Sequence, residues 1–275
     1  MDDRIVADQL EQLDRVIIAA EDWAKAYKKQ PEVLAKLIKL EAKLMRVLRK
    51  YFKTLASERV NNYINWYKYQ QESVKAFNFD VTVDVQEILD VEYGTLMQVI
   101  YEPLQAMLSL GATSAQESYN IDLGISKYSS SLAKAADDYT GELVTGITET
   151  TRDRIKQSIS TSLRVGDNQQ QALARLQEVA GDINRAEMIA RTETVRSYNK
   201  GITLFGRESN ATAKTWEVSS DPCSICEANG LDGSIPFDSQ FNSGDDEPPA
   251  HPNCRCSMSL EHDYSGANYE PDQTE

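Results

Sequence analysis

Apolar residues recur at helical spacing along most of the chain. Ile5, Leu10 (or Gln9), Leu13, Val16, Ile17, Ala20 and Trp23 predict a helix over 5–30. Pro31 suits the first turn of a second helix. That helix is predicted to be long, since no Gly or Pro occurs from 32 to 76. Within it Leu37, Leu44 and Tyr51 are spaced by seven, as are Leu48 and Leu55, and Val33, Leu40 and Val47 form a parallel series. This is the pattern of an amphipathic hairpin or short coiled coil.

The aromatic run Tyr63, Trp66, Tyr67, Tyr69 and Phe77 fits inter-helix packing better than base stacking. Asp80 and Asp84 bracket a break. A further helix is expected over 85–110, interrupted near Pro103 and capped by Gly111. Residues 111–128 read as a linker. Leu132, Leu143, Val144, Ile147, Ile155, Ile159 and Leu163 predict helix over 129–163, with Gly141 and Gly146 dividing it. Asp167 is the expected N-cap of a helix over 168–180 closed by Gly181, and Asp182 the cap of 183–207.

After Asn210 the pattern changes. Residues 211–219, with Thr212, Thr215, Trp216 and Val218, read as a strand, and 255–260 as a short returning strand. Between them lies a stretch rich in Gly, Pro, Asp and Ser. The expected fold is mainly α, with a long helical N-terminal region and a small α+β C-terminal module whose short strands flank a zinc-clamped loop. The expected segments are 1–120 (helical), 121–208 (helical), 209–262 (β/zinc module) and 263–275 (acidic, disordered tail).

Composition narrows the function. The chain has 275 residues, 41% hydrophobic and 26% charged, which is ordinary globular usage. No uncharged apolar run approaches the ~18 residues of a membrane span, so no membrane partner is expected. The polar start MDDRIVADQLEQ does not read as a secretory signal. The net charge of −14 argues against a surface that coats nucleic acid throughout. Residues 25–59, however, hold eleven Lys/Arg against three Glu, and residues 209–275 hold two against thirteen acidic residues. Lys36, Lys39, Lys43, Arg46, Arg49, Lys50 and Lys53 therefore form either a solvated helix face or a contact for an acidic partner or nucleic-acid backbone.

The strongest chemical signal is Cys223-x-x-Cys226 followed after 24 residues by His251-x-x-Cys254. Two such turns offer four thiolate and imidazole donors, which is what a structural zinc site requires. Cys256 is the alternate fourth ligand. The enclosed loop has few apolar residues (Leu231, Ile235, Phe237, Phe241), so a metal would supply folding energy. Hydrolase, phosphate-loop and dinucleotide motifs are missing. No catalytic residue is expected.

The order AEMIARTETVRSYNKG (186–201), Trp216, Asp221-Pro-Cys-Ser-Ile-Cys226, Leu231-Asp-Gly233 and PPAHPNCRC (248–256) resembles the phage minor head protein family similar to protein F of phage Mu. The resemblance spans about 130–260. It implies a structural protein of the virion head, near the portal vertex, made in the host cytoplasm and concerned with head assembly and DNA packaging or ejection. Implied partners are the portal protein and capsid or scaffold proteins. Residues 25–59 lie outside the resemblance, and their positive charge makes them a candidate contact for packaged DNA or an acidic portal surface. Members often carry Asp-x-Arg before the first cysteine, whereas this chain has Asp221-Pro222-Cys223.

Glu187, Arg191, Glu193 and Arg196 sit at three- and four-residue spacings. With Trp216, Asp221 and Arg255 they are expected to form a polar network joining this helix to the strand. Two other readings are a phage-carried effector enzyme, suggested by a loose ADP-ribosyltransferase-like Ser160-Thr161-Ser162 with Glu193, and a cellular zinc-binding adaptor.

Overall fold

The computed structural model describes residues 23, 25–75, 85–124 and 130–263. Residues 5–22 of the helix expected over 5–30, the Asp80–Asp84 break, Phe77 and the tail beyond 263 lie outside these residues. Residues 25–29, expected as the end of that helix, are turn, closed by the Lys28 N–H to the Lys25 carbonyl and the Gln30 N–H to the Tyr27 carbonyl. In chain order the elements are α1 (Pro31–Thr54), a π turn (Leu55–Arg59), a 3-10 turn (Val60–Tyr63), α2 (Trp66–Lys75), α3 (Val85–Tyr119), α4 (Ser130–Val165), α5 (Gln169–Ala180), α6 (Ile183–Glu208), β1 (Ala213–Glu217), α7 (Ser224–Leu231), β2 (Ser234–Pro236) and β3 (Ser257–Glu261). The fold is mostly helical with one small antiparallel sheet of order β2-β1-β3.

Three further expectations fail. The helix expected to end at Gly111 runs on through Pro103 and Gly111 to Tyr119, so most of the expected linker is α-helix. Pro103 is buried, and packing of its ring outweighs the hydrogen bond its missing N–H cannot make. Helix α4 continues through Gly141 and Gly146. Asn168, not Asp167, caps α5, in a capping box with Gln171.

The chain forms two compact units interleaved in sequence, one from 1–39, 106–132 and 191–275, the other from 40–105 and 133–190. In the second, Leu44, Leu48, Tyr51 and Leu55 are buried, as their seven-residue spacing predicts, and Phe52, outside those series, is buried with them. The fully buried Glu92 carboxylate accepts from Arg59 Nη1 at 3.1 Å and from the Tyr63 hydroxyl, so its charge is matched where water cannot reach it. Buried Arg185 donates to Thr151 Oγ1 (2.7 Å) and the Ile147 carbonyl (3.0 Å) and lies over the Phe52 ring. Burial, and to a lesser extent Arg154, bring its pKa down to about 10.

In the first unit, α3 and α6 touch backbone to backbone. A Cβ on Gly111 would overlap the Tyr198 carbonyl, and one on Gly201 the Leu108 carbonyl. Only glycine lets two helices approach so closely. Tyr198 then bonds Ser114 Oγ at 3.0 Å and donates to Gln30 Oε1 at 3.2 Å. The sheet packs nearby residues of the same unit. Lys214 pairs with Ile235 and Leu260, and Trp216 with Met258.

Candidate metal centre

The cysteines converge because two local turns face each other. Cys223 sits at the N-cap of α7 and Cys226 in its first turn, with the Glu227 amide bonded to the Cys223 carbonyl at 2.9 Å. Opposite, the Cys254 amide bonds the His251 carbonyl, forming a tight turn in which Asn253 adopts φ 63°. Thr192 Oγ1 of α6 accepts from the Asn253 amide at 3.0 Å and fixes that turn to the helix.

Cys223 Sγ and Cys226 Sγ lie 3.1 and 3.2 Å from His251 Nε2, and Cys226 Sγ is 3.6 Å from Cys254 Sγ. Sulfurs on one tetrahedral zinc are about 3.8 Å apart, so the spacing approaches that of ligands. The donors form two sets of three, Cys223/Cys226/His251 and Cys226/Cys254/Cys256, each within 4.8 Å and sharing Cys226. Both Cys254 and Cys256 therefore stand beside Cys226. Cys226, Cys254 and Cys256 are buried and Cys223 is exposed, with all four as free thiols.

The donor chemistry fits a metal. His251 Nδ1 is 2.8 Å from the Pro252 carbonyl. Donation there leaves the Nε2 lone pair facing the two sulfurs, the arrangement seen in metal-bound imidazoles. The three buried thiols cannot all ionise together. Hydrogen bonds from Cys226 and Cys254 hold Cys256 well below the usual thiol range. Hydrogen bonds with Cys254 and Cys256, then burial, push Cys226 up. A cation would cancel this repulsion and stabilise all three as thiolates.

Around the centre, Trp216, Cys226, Phe241, Cys254 and Cys256 form one buried cluster, with Val218, Ile235 and Ala250 against it. Trp216 and Phe241 meet edge to face at 5.0 Å. Lys214, on the same strand face, donates Nζ to the Asp246 carbonyl at 2.7 Å and lies over Phe241. Burial lowers its pKa. The long loop is knotted by Asn229, which accepts the Ser243 amide at 2.9 Å, and by Asp232, which accepts the Asn242 amide at 2.7 Å.

The residues expected to form one polar network have several placements. Arg49 pairs with Glu187, in the second unit. In the first, Arg196 Nε donates to Glu193 at 3.2 Å, Asp221 is exposed, and Arg255, between two candidate ligands, lies 4.5 Å over the Trp23 ring. Trp23 stacks on Tyr27 (5.7 Å), and Tyr27 meets Tyr198 (5.5 Å). The Lys25 amide reaches Ser220 Oγ at 3.3 Å. Sequence spacing does not reveal this aromatic contact, because Trp23 reads simply as one more apolar helix position. Ser160–Ser162 lie within α4.

Of the basic residues on α1, Lys43 pairs with Glu102 and Arg49 with Glu187, while Lys36, Lys39, Arg46, Lys50 and Lys53 are exposed. No described helix is long and apolar enough to cross a membrane.

No curated protein and no solved structure matches the chain. Residues 153–259, which hold every candidate metal donor from Cys223 to Cys256, match the family model described as phage Mu protein F like protein.

Proposed function

We propose that the chain is a minor head protein of a phage, a structural component that docks at the portal vertex and takes part in head assembly and DNA packaging or ejection. The observation that carries this reading is that one segment holds both the family match and the donor cluster. In this reading Cys223, Cys226 and His251, with Cys254 or Cys256, hold a structural zinc. The bound ion closes a loop that has little apolar core of its own. Four protein ligands leave no position for a reacting water, so the reading contains no catalytic step. Capsid or scaffold proteins are the other partners, and the protein moves from the host cytoplasm into the virion.

The test is co-expression with the portal protein of the same phage, isolation of the complex, and measurement of zinc per chain. A stable complex with about one zinc per chain, whose zinc is lost in Cys223→Ser/Cys226→Ser, is expected. A zinc-free protein that ignores the portal overturns the reading.

A further inference from the structure

The second unit contains an open cavity of about 600 Å³, lined by Arg49, Lys50, Lys53, Ala56, Ser57, Gln177, Gly181 and Ile183. It lies where the C-terminal end of α1 and the following π turn meet the α5–α6 junction. Three cations converge there, and their charges are not equally satisfied. Arg49 has Glu187 as its ion-pair partner. Lys50 and Lys53 are exposed and have no ion-pair partner among the described residues. Two ammonium groups three residues apart on a helix repel each other. The cavity therefore keeps about two uncompensated positive charges.

We propose that this cavity binds a phosphate ester, with Lys50 and Lys53 as its charge partners. A phosphate monoester carries a charge of roughly −1.5 to −2 at neutral pH and offers three acceptor oxygens. That matches two free ammonium groups better than a single carboxylate does. Gln177 adds a side-chain amide, a common phosphate donor, and Ser57 a hydroxyl that donates to the Lys53 carbonyl at 2.9 Å and would have to turn from it to reach the phosphate. The volume exceeds that of a bare phosphate and falls in the range of small-molecule sites. Ala56 and the exposed side chain of Ile183 give apolar surface for the group that carries the phosphate. A free nucleotide and a polynucleotide present the same phosphate chemistry to the two lysines. This inference does not depend on the metal centre or on the head-protein reading.

The test uses the full chain in low-salt buffer. Amide chemical shifts and calorimetry are followed during titration with inorganic phosphate, a nucleoside monophosphate, a short single-stranded oligonucleotide and an acidic peptide. Expected is saturable binding of the monophosphate or the oligonucleotide, with shifts centred on Lys50, Lys53, Ser57 and Gln177. Lys50→Ala/Lys53→Ala should weaken it at least tenfold, whereas Arg46→Ala, an exposed cation outside the cavity lining, should change it less than twofold. Saturation by the mononucleotide identifies a small-molecule site, and binding by the oligonucleotide alone identifies a strand. Both lysines are exposed, so the double variant should keep the parent circular dichroism spectrum. Binding of the acidic peptide as tightly as the phosphate ester, or equal loss in the Arg46 variant, overturns the proposal. So does no saturation by any phosphate ligand at millimolar concentration.

Discussion

Asp182 shows how a single side chain sets a boundary between two helices. Its carboxylate accepts from the Arg185 amide at 3.2 Å, which caps α6, and from Arg154 at 3.0 Å. Burial alone would raise its pKa, but these two bonds, the Arg154 charge and the Asn184 amide together outweigh it and hold the carboxyl below its usual range. The folded state therefore binds this proton less readily than the unfolded chain does. Its contribution is complete above the ordinary carboxylate pKa and fades as the pH falls through the lower, folded value. Asp182→Asn should flatten that part of the stability-versus-pH curve and Asp182→Ala should cost about 1 kcal/mol at neutral pH, both read by urea denaturation. This cap was legible in the sequence, whereas the one before it was not. Asp167 and Asn168 are each followed three residues later by a glutamine, so the capping-box pattern allows both. The choice is made in three dimensions. Arg175 binds the Asp167 side chain at 3.0 Å, and Tyr69 donates to its carbonyl at 2.6 Å, which leaves Asn168 to cap.

At the scale of elements, glycines that look alike in sequence do opposite work. Gly146 lies inside α4 with open space where a Cβ would stand. Gly146→Ala should stabilise the protein by about 0.5–1 kcal/mol, through lower backbone entropy in the unfolded chain. Gly201 also lies inside a helix, but an added Cβ meets the Leu108 carbonyl and the Ala112 amide. Gly201→Ala should destabilise by about 3 kcal/mol, since α3 and α6 must be pushed apart. Opposite signs in thermal unfolding would confirm the crossing, and two gains would refute it. Local pattern could not separate these cases. The same limit explains Gly111, which carries the signature of a helix end yet marks the other side of the crossing. Elements α7 and β2 escaped notice for a different reason. They are short and lie in a stretch whose Gly, Pro and Asp content signals loop, and the Asn229 and Asp232 side chains hold that stretch in place. The seven-residue series on α1 was legible because one continuous apolar stripe is what a buried helix needs.

For the whole molecule, the meeting of the Cys223/Cys226 and His251/Cys254 turns was readable from spacing alone, while the interleaving of the two units was not, since it depends on contacts between distant parts of the chain. One such contact has a thermodynamic consequence. Arg255 stands between Cys254 and Cys256 and covers Trp23, while the Lys25 amide reaches Ser220, three residues before Cys223. Both ligand-bearing segments thus touch residues 23–27. If a bound ion orders those segments, it must also favour the docked state of Trp23, and coupling of this kind is reciprocal. Trp23→Ala should then weaken metal retention by the same factor by which metal removal loosens residues 23–30. About fivefold is expected, measured by chelator competition on one side and hydrogen exchange on the other. Unchanged metal affinity in the variant would leave the Trp23 contact as packing only. Where the two factors agree, residues 23–30 report on an ion bound more than 190 residues later in the sequence.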